Sequence, residues 1–243
     1  MARRGAIVAM AAGLTAAAAI GAVAAAGGGL PRGSEAVELD PRQFSTRIDN
    51  PYWPMRPGMR WDYREVENDG TVKRGSIRVT SRTRRIANGV VARVVRDTVK
   101  EDGALVEDTV DWYAQDREGN LWYLGEATKE YEGGKVVSTE GSWEAGVDGA
   151  QPGVVMPAEP RVGLAYRQEH YAGHAEDRAS IVGVREQVQV PAGHYRNVVM
   201  TRDVDPLHPD VLEFKFYAPG AGPVLAIGVS GGGGREELVH LTR

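Results

Sequence analysis

The chain has 243 residues, a formal net charge of −4 and no cysteine. A mildly acidic balance of mixed sign excludes the clustered Lys/Arg face that nucleic-acid binding needs. The missing cysteine excludes disulfides, thiol catalysis, cysteine–zinc sites and lipid attachment at a processed N-terminal cysteine.

Residues 1–4 hold two arginines, and residues 5–26 are uncharged and almost all Ala, Gly, Val, Ile, Leu and Met. Ala22-Val23-Ala24 and Ala24-Ala25-Ala26 both offer the small-x-small pattern of a signal-peptidase site. Residues 1–26 therefore read as a signal peptide cut after Ala24 or Ala26, which places the mature chain outside the cell or in the envelope. An uncleaved anchor is the alternative, since the stretch is long enough to span a bilayer. The mature chain contains no further transmembrane segment. Residues 27–43 are Gly/Ser/Glu-rich, lack periodicity and read as a disordered spacer.

Order is expected from Phe44. The run Ile48-Asp49-Asn50-Pro51-Tyr52-Trp53-Pro54 and the Pro57 that follows cannot be helical, so this is an extended strap, with Tyr52 and Trp53 packed against the body. From Arg60 onward, strands alternate with tight turns. Strands are expected over 60–67, 71–86, 90–100, 104–114, 121–128 and 135–144. Asn68-Asp69-Gly70, Asn88-Gly89, Asp102-Gly103 and Gly133-Gly134 supply the hairpin turns. Residues 146–160 contain Pro152, Pro157 and Pro160 and read as a connector. Strands resume over 164–171, 175–190, 194–205, 211–218, 223–229 and 236–242. Helical periodicity is nowhere sustained.

The two halves can be superposed. Gly58 matches Gly163, Trp61 matches Tyr166, Gly89 matches Gly193, Tyr113 matches Tyr217 and Gly125 matches Gly228, at offsets of 103 to 105 residues. The expected fold is all-β and antiparallel. Two tandem β-meander repeats, residues 44–145 with the strap and residues 161–243, join through the connector 146–160. One meander leaves two open edges and one apolar face; two can cure both faults as a barrel, half-barrel or sandwich.

Four segments carry a resemblance: Ile48 to Pro54, Val110-Asp111-Trp112-Tyr113 through Tyr123, Ser138-Thr139-Glu140-Gly141-Ser142-Trp143-Glu144-Ala145-Gly146, and Phe216-Tyr217-Ala218-Pro219-Gly220. Together they resemble a family of secreted bacterial proteins, common in actinobacteria, with no assigned activity. The resemblance implies secretion and β structure and transfers no functional residue. More loosely, Pro191-Ala192-Gly193 with the Tyr-Ala-Pro-Gly-x-Gly end is similar to the LolA/LolB lipoprotein-carrier shape, without the helices that shape lays across its half-barrel.

Among candidate sites the aromatic residues come first. Trp61, Tyr63, Trp112, Trp122, Tyr123, Trp143, Tyr166 and Tyr217 stand on expected strands, and Trp and Tyr outnumber Phe. Such side chains bury apolar area yet keep a polar tip, which suits the wall of a cleft for an amphipathic ligand; ordinary core packing is the bland alternative. Strand alternation puts Trp112 and Ala114 on one face and Asp111 and Tyr113 on the other. His170 and His174 are about 13 Å apart on an unbroken strand, too far for one metal. Asp116 to Asn120 reads as a hairpin turn. Glu140 and Glu144 are likewise about 13 Å apart, beyond the roughly 5–9.5 Å that glycoside hydrolysis uses. No cofactor or metal is expected, and no Gly-x-Ser-x-Gly, phosphate loop or His-Glu-x-x-His occurs. The leading expectation is a non-catalytic secreted or envelope protein that binds a lipid or other amphipathic molecule in a β-lined cleft. A cell-surface interaction module pairing through an edge strand comes second, and an extracellular hydrolase third.

Overall fold

Turn chemistry lays the chain out as consecutive hairpins. Between Glu101 and Ala104, for instance, Asp102 and Gly103 have φ of 48° and 84°, the paired positive angles that a two-residue hairpin requires. The structure, a computed structural model, describes residues 29–243; the signal-peptide reading of 1–26 lies outside the described residues. After a 3-10 turn at Pro41–Gln43 come β1 (Phe44–Ser45), β2 (Arg60–Val66), β3 (Val72–Arg85), β4 (Val91–Glu101), β5 (Ala104–Asp116), β6 (Leu121–Glu132), β7 (Lys135–Ser138), β8 (Trp143–Glu144) and β9 (Gln151–Met156). They are followed by β10 (Ala165–Arg167), β11 (Glu169–His170), β12 (Arg178–Val190), β13 (Gly193–Asp205), β14 (His208–Ala218), β15 (Gly222–Ser230) and β16 (Arg235–Thr242). The fold is all-β and antiparallel, as expected.

Hydrogen bonding orders the sheet β10-β12-β13-β14-β15-β16-β2-β3-β4-β5-β6-β9-β11. Its two end strands are consecutive in the chain, separated only by Gln168. One kinked segment, 165–170, thus pairs with β12 on one side and β9 on the other, and closes the sheet into a barrel. Of the three architectures open to two meanders, the barrel is the one formed. Matching bonds recur in the two halves: Gly58 N–H donates to the Val79 carbonyl and Gly163 N–H to that of Ile181, each at 2.9 Å.

The seam is made by residues the sequence reading passed over. Gln168 N–H donates to the Asp177 carbonyl at 2.7 Å. Arg167 is fully buried; its guanidinium donates to the carbonyls of Pro152, Gly33 and Glu35, and its N–H to that of Pro31. Burial lowers its pKa to about 10, so it stays charged at neutral pH; backbone oxygens meet its Nε, Nη1 and backbone N–H, while the buried Nη2 has no hydrogen-bond partner. Two expectations are thereby corrected. From residue 29, the stretch read as a disordered spacer is a clasp over the seam, fastened also by Val37 N–H to Gln151 Oε1. The connector 146–160 contributes β9, a wall strand paired on both sides. Pro152 and Gly153 disguised it: proline argues against a central strand, but glycine is needed because the backbones at Gly153 and Gln168 nearly touch.

The strap crosses one end of the barrel. Asn50 Nδ2 donates to the Gly119, Met156 and Pro157 carbonyls, Gly220 N–H to Pro51, and Met55 N–H to Ile48. Ile48 and Met55 of the strap are nearly or fully buried, as are Trp61, Leu121 and Leu124 of the wall. The outward face of β2–β4 is basic: Arg60 stands opposite Arg78, and Arg78 opposite Arg96. A lipid-facing belt would be apolar there. Among the described residues no helix is long and apolar enough to cross a membrane.

Gly153 offers a test of the seam. A Cβ at this position would lie 2.3 Å from the Gln168 carbonyl carbon and oxygen. Gly153→Ala should cost about 1–3 kcal/mol, read as a lower urea midpoint by tryptophan fluorescence. An unchanged midpoint would show that the seam does not limit stability.

Candidate functional site

With one end plugged by the strap, the barrel interior keeps a cavity of ≈ 420 Å³. Its floor is aromatic. Trp53 leans on Tyr113 and Tyr217, with ring centroids 5.8 and 5.6 Å away, and Tyr113 stacks on Tyr123 at 4.9 Å. Met55 and Tyr63 complete this end, and the Tyr63 hydroxyl donates to the Pro223 carbonyl at 2.8 Å. Burial raises the pKa values of Tyr63, Tyr113 and Tyr123 well above the ordinary phenol value, so these rings are neutral. At the far end the cavity reaches Asp210 and the Gly231 to Gly234 run of the β15–β16 turn.

The walls are acidic. Twelve lining residues are Asp or Glu, against one lysine, Lys215, and one histidine, His208. They come from most of the ring, with Glu65 on β2 and Glu67 just after it, Asp97 on β4, Glu107 and Asp111 on β5 and Glu126 on β6. The rest are Asp203 and Asp205 on β13, Asp210 and Glu213 on β14, Asp177 just before β12, and Glu236 on β16, paired directly with Glu65. Some are internally satisfied. Lys215 Nζ lies 3.3 Å from Asp203 Oδ2 and 3.2 Å from Glu213 Oε2; Lys73 pairs with Glu67; His208 Nδ1 lies 2.5 Å from Asp205 Oδ2. The Tyr123 hydroxyl donates to Asp111 Oδ1 at 2.8 Å. Glu126 is different: Thr128 Oγ1 donates to its Oε2 at 3.0 Å, while its buried Oε1 has no hydrogen-bond partner.

This crowding shows in the acid–base properties. Burial, reinforced by Glu107, pushes Asp111 up to about 7, although the Tyr123 hydroxyl opposes it. Asp177 is pushed to about 7 by burial, against the pull of Lys215. Burial and then Asp111 raise Glu126 well above the carboxylate range. Glu169, fully buried behind the wall with neither oxygen bonded, is raised likewise by burial and by Asp177. Burial disfavours the Lys215 ammonium, yet Glu213 and Asp203 hold its pKa well above the ordinary value.

Of the aromatic residues singled out from sequence, Tyr63, Tyr123 and Tyr217 face the cavity. Trp61, Trp143 and Tyr166 are buried without lining it; Trp143 sets its edge against Tyr123 at 5.4 Å, and Trp61 Nε1 donates to the Ala221 carbonyl. Trp112 and Trp122 do not reach the lumen. Their positions alternate with the inward Tyr113 and Tyr123. Arg84 covers Trp112 at 4.1 Å, and Trp122 Nε1 donates to Asp116 Oδ2 beside Phe44. Sequence reasoning missed Trp53 and Tyr113 as floor residues and missed every wall carboxylate. A signal was present: Tyr63 and Glu65, Asp111 and Tyr113, and Glu213, Lys215 and Tyr217 are each spaced by two, which puts acid and tyrosine on one strand face.

The pKa shifts fix the sign of a pH effect. Asp111, faced by Glu107, Asp97, Tyr113, Tyr123 and Glu126, has a folded pKa above its unfolded one. Its stabilising contribution is therefore present below the unfolded value and lost as pH rises through about 7. The ligand-free protein should melt roughly 5 °C or more higher near pH 5.5 than near pH 8. Asp111→Asn should raise the melting temperature near pH 8 and flatten the profile. A wild-type profile that rises toward pH 8 would contradict this.

No family model and no curated protein matches the chain. Among solved structures, one from Parabacteroides distasonis, provisionally described as a lipoprotein, is similar at 11% identity and a TM-score of 0.40, over 79% of this chain and 98% of that one.

Proposed function

We propose that this is a non-catalytic, extracytoplasmic binding protein that holds an amphipathic small molecule in the barrel lumen. One observation carries the reading: the barrel is not filled by side chains but keeps a ≈ 420 Å³ cavity floored by Trp53, Tyr113, Tyr123 and Tyr217. That volume lies within the roughly 300–1,000 Å³ of small-molecule pockets. Placement outside the cytoplasm rests on the signal-like residues 1–26.

Two features support this reading over its rivals. Ser230, His208 and Asp205 share the cavity, the residue types of a hydrolytic triad. His208 Nδ1 does meet Asp205 as a triad requires, but Ser230 Oγ donates to the Asp210 carbonyl at 2.6 Å and not to the imidazole. Barrel closure also removes the long open edge that pairing with another protein would use. Short strands paired on one side remain, β1, β7 and β8, of which β7 has Val136 and Val137 half exposed.

The test is native mass spectrometry of residues 27–243 produced in a secreting host and purified without detergent, compared with the denatured mass. A near-stoichiometric small molecule is expected, lost or at least tenfold depleted in Trp53→Ala. A clean ligand-free mass that persists after incubation with envelope lipid extract would overturn the reading.

A further inference from the structure

We infer that the lumen selects an organic cation: a molecule with an ammonium group on an apolar or aromatic body. This rests on the binding function proposed above and deepens it by naming the ligand's chemistry.

Charge is the first ground. The lining holds twelve carboxylates, and its lysine is already shared between Asp203 and Glu213. An anionic headgroup placed here would face carboxylates from most of the ring with no uncommitted lysine to meet it, and those that are ionised repel it strongly in a region shielded from water.

The second ground is independent of the count. Glu126 is only 6% exposed, lines the cavity, and its Oε1 has no hydrogen-bond partner. Asp203, also 6% exposed, is in the same condition: Oδ2 takes Gln168 Nε2 and Lys215 Nζ, while Oδ1 has no hydrogen-bond partner. A buried acceptor without a donor is costly unless something supplies one. An ammonium group brings up to three donors together with the compensating charge.

The floor supplies the rest of the specificity. Trp53, Tyr113 and Tyr217 present neutral aromatic rings, which attract cations through their π-faces and accept apolar groups equally well. A bare metal ion would make no use of that floor. Among the described residues no group of three or more His, Asp or Glu side chains converges in a way that could hold a metal.

The mature chain is titrated near pH 7.5, by calorimetry and tryptophan fluorescence, with decylamine, decanol and decanoate below their aggregation limits, and with spermine. Decylamine should bind at least about tenfold tighter than decanol, with decanoate the weakest. Glu126→Gln and Asp203→Asn, each checked for fold by circular dichroism, should separately narrow the gap between decylamine and decanol by several-fold. A proton-release signature supports the same conclusion: the apparent enthalpy should differ between phosphate and Tris. Glu126, faced by Asp111 and Glu107 of β5, Tyr123 and Thr128 of its own strand, and Glu169 of β11, gives up its proton as the cation arrives. Decanol or decanoate binding as tightly as decylamine would overturn the cation inference and leave the lumen-binding function standing. Spermine binding as tightly as decylamine would overturn the requirement for an apolar body. Failure of all four probes would overturn both readings.

Discussion

Everything in this barrel depends on the contact between the backbones at Gly153 and Gln168. A strand order that starts and ends on neighbouring residues can close only if one short segment pairs on both sides, and 165–170 does so with a kink at Gln168. The kink brings two chains closer than any side chain allows. It also leaves carbonyls on the outer side, which Arg167 gathers with those of the N-terminal clasp. A charge buried against backbone oxygens is a rigid joint, because moving any one of them leaves a desolvated guanidinium short of an acceptor. Without this joint the sheet would be an open meander with two sticky edges.

Closure creates an interior, and what occupies it is expensive. A lumen filled by Val, Leu and Ile would be more stable than one holding a dozen carboxylates, several forced toward neutrality by burial. Internal pairs such as Lys215 with Asp203 and Glu213 relieve part of that cost and leave Glu126 unrelieved. Groups kept at a stability cost and directed into a cavity are the usual signature of a site selected for something other than folding. The aromatic floor follows the same logic. Trp53 comes from the strap and not from the wall, so the ring that unites Tyr113 with Tyr217 is delivered by a segment outside the barrel wall.

Much of the fold was legible because it is local. Asp102-Gly103, Asn88-Gly89 and Asn68-Asp69-Gly70 announce hairpins by conformational need alone, and β2 to β6 and β12 to β16 fall close to where those turns place them. The strap was legible from its prolines. Closure was not, because it depends on which two distant segments meet, and Pro152-Gly153 has the composition of a loop. The site was half legible. Tyrosines at Tyr63, Tyr123 and Tyr217 stood out, but the equally prominent Trp112 and Trp122 point outward, and only alternation along the strand separates the two sets. The acidic walls were hidden by the near-neutral whole: Arg60, Arg78 and Arg96 on the outside offset the carboxylates within, so a net charge averages away a radial separation.

The plugged end has a consequence for traffic. A tube open at both ends conducts, whereas a cup loads and unloads through one rim. With Trp53 and the Pro51–Gly220 contact sealing the bottom, whatever enters past Gly231 to Gly234 must leave by the same rim, apolar end last. For the lumen ligand proposed above, such a container would suit capture and release at the rim, and the distance from rim to tryptophan would set the longest tail it could hold.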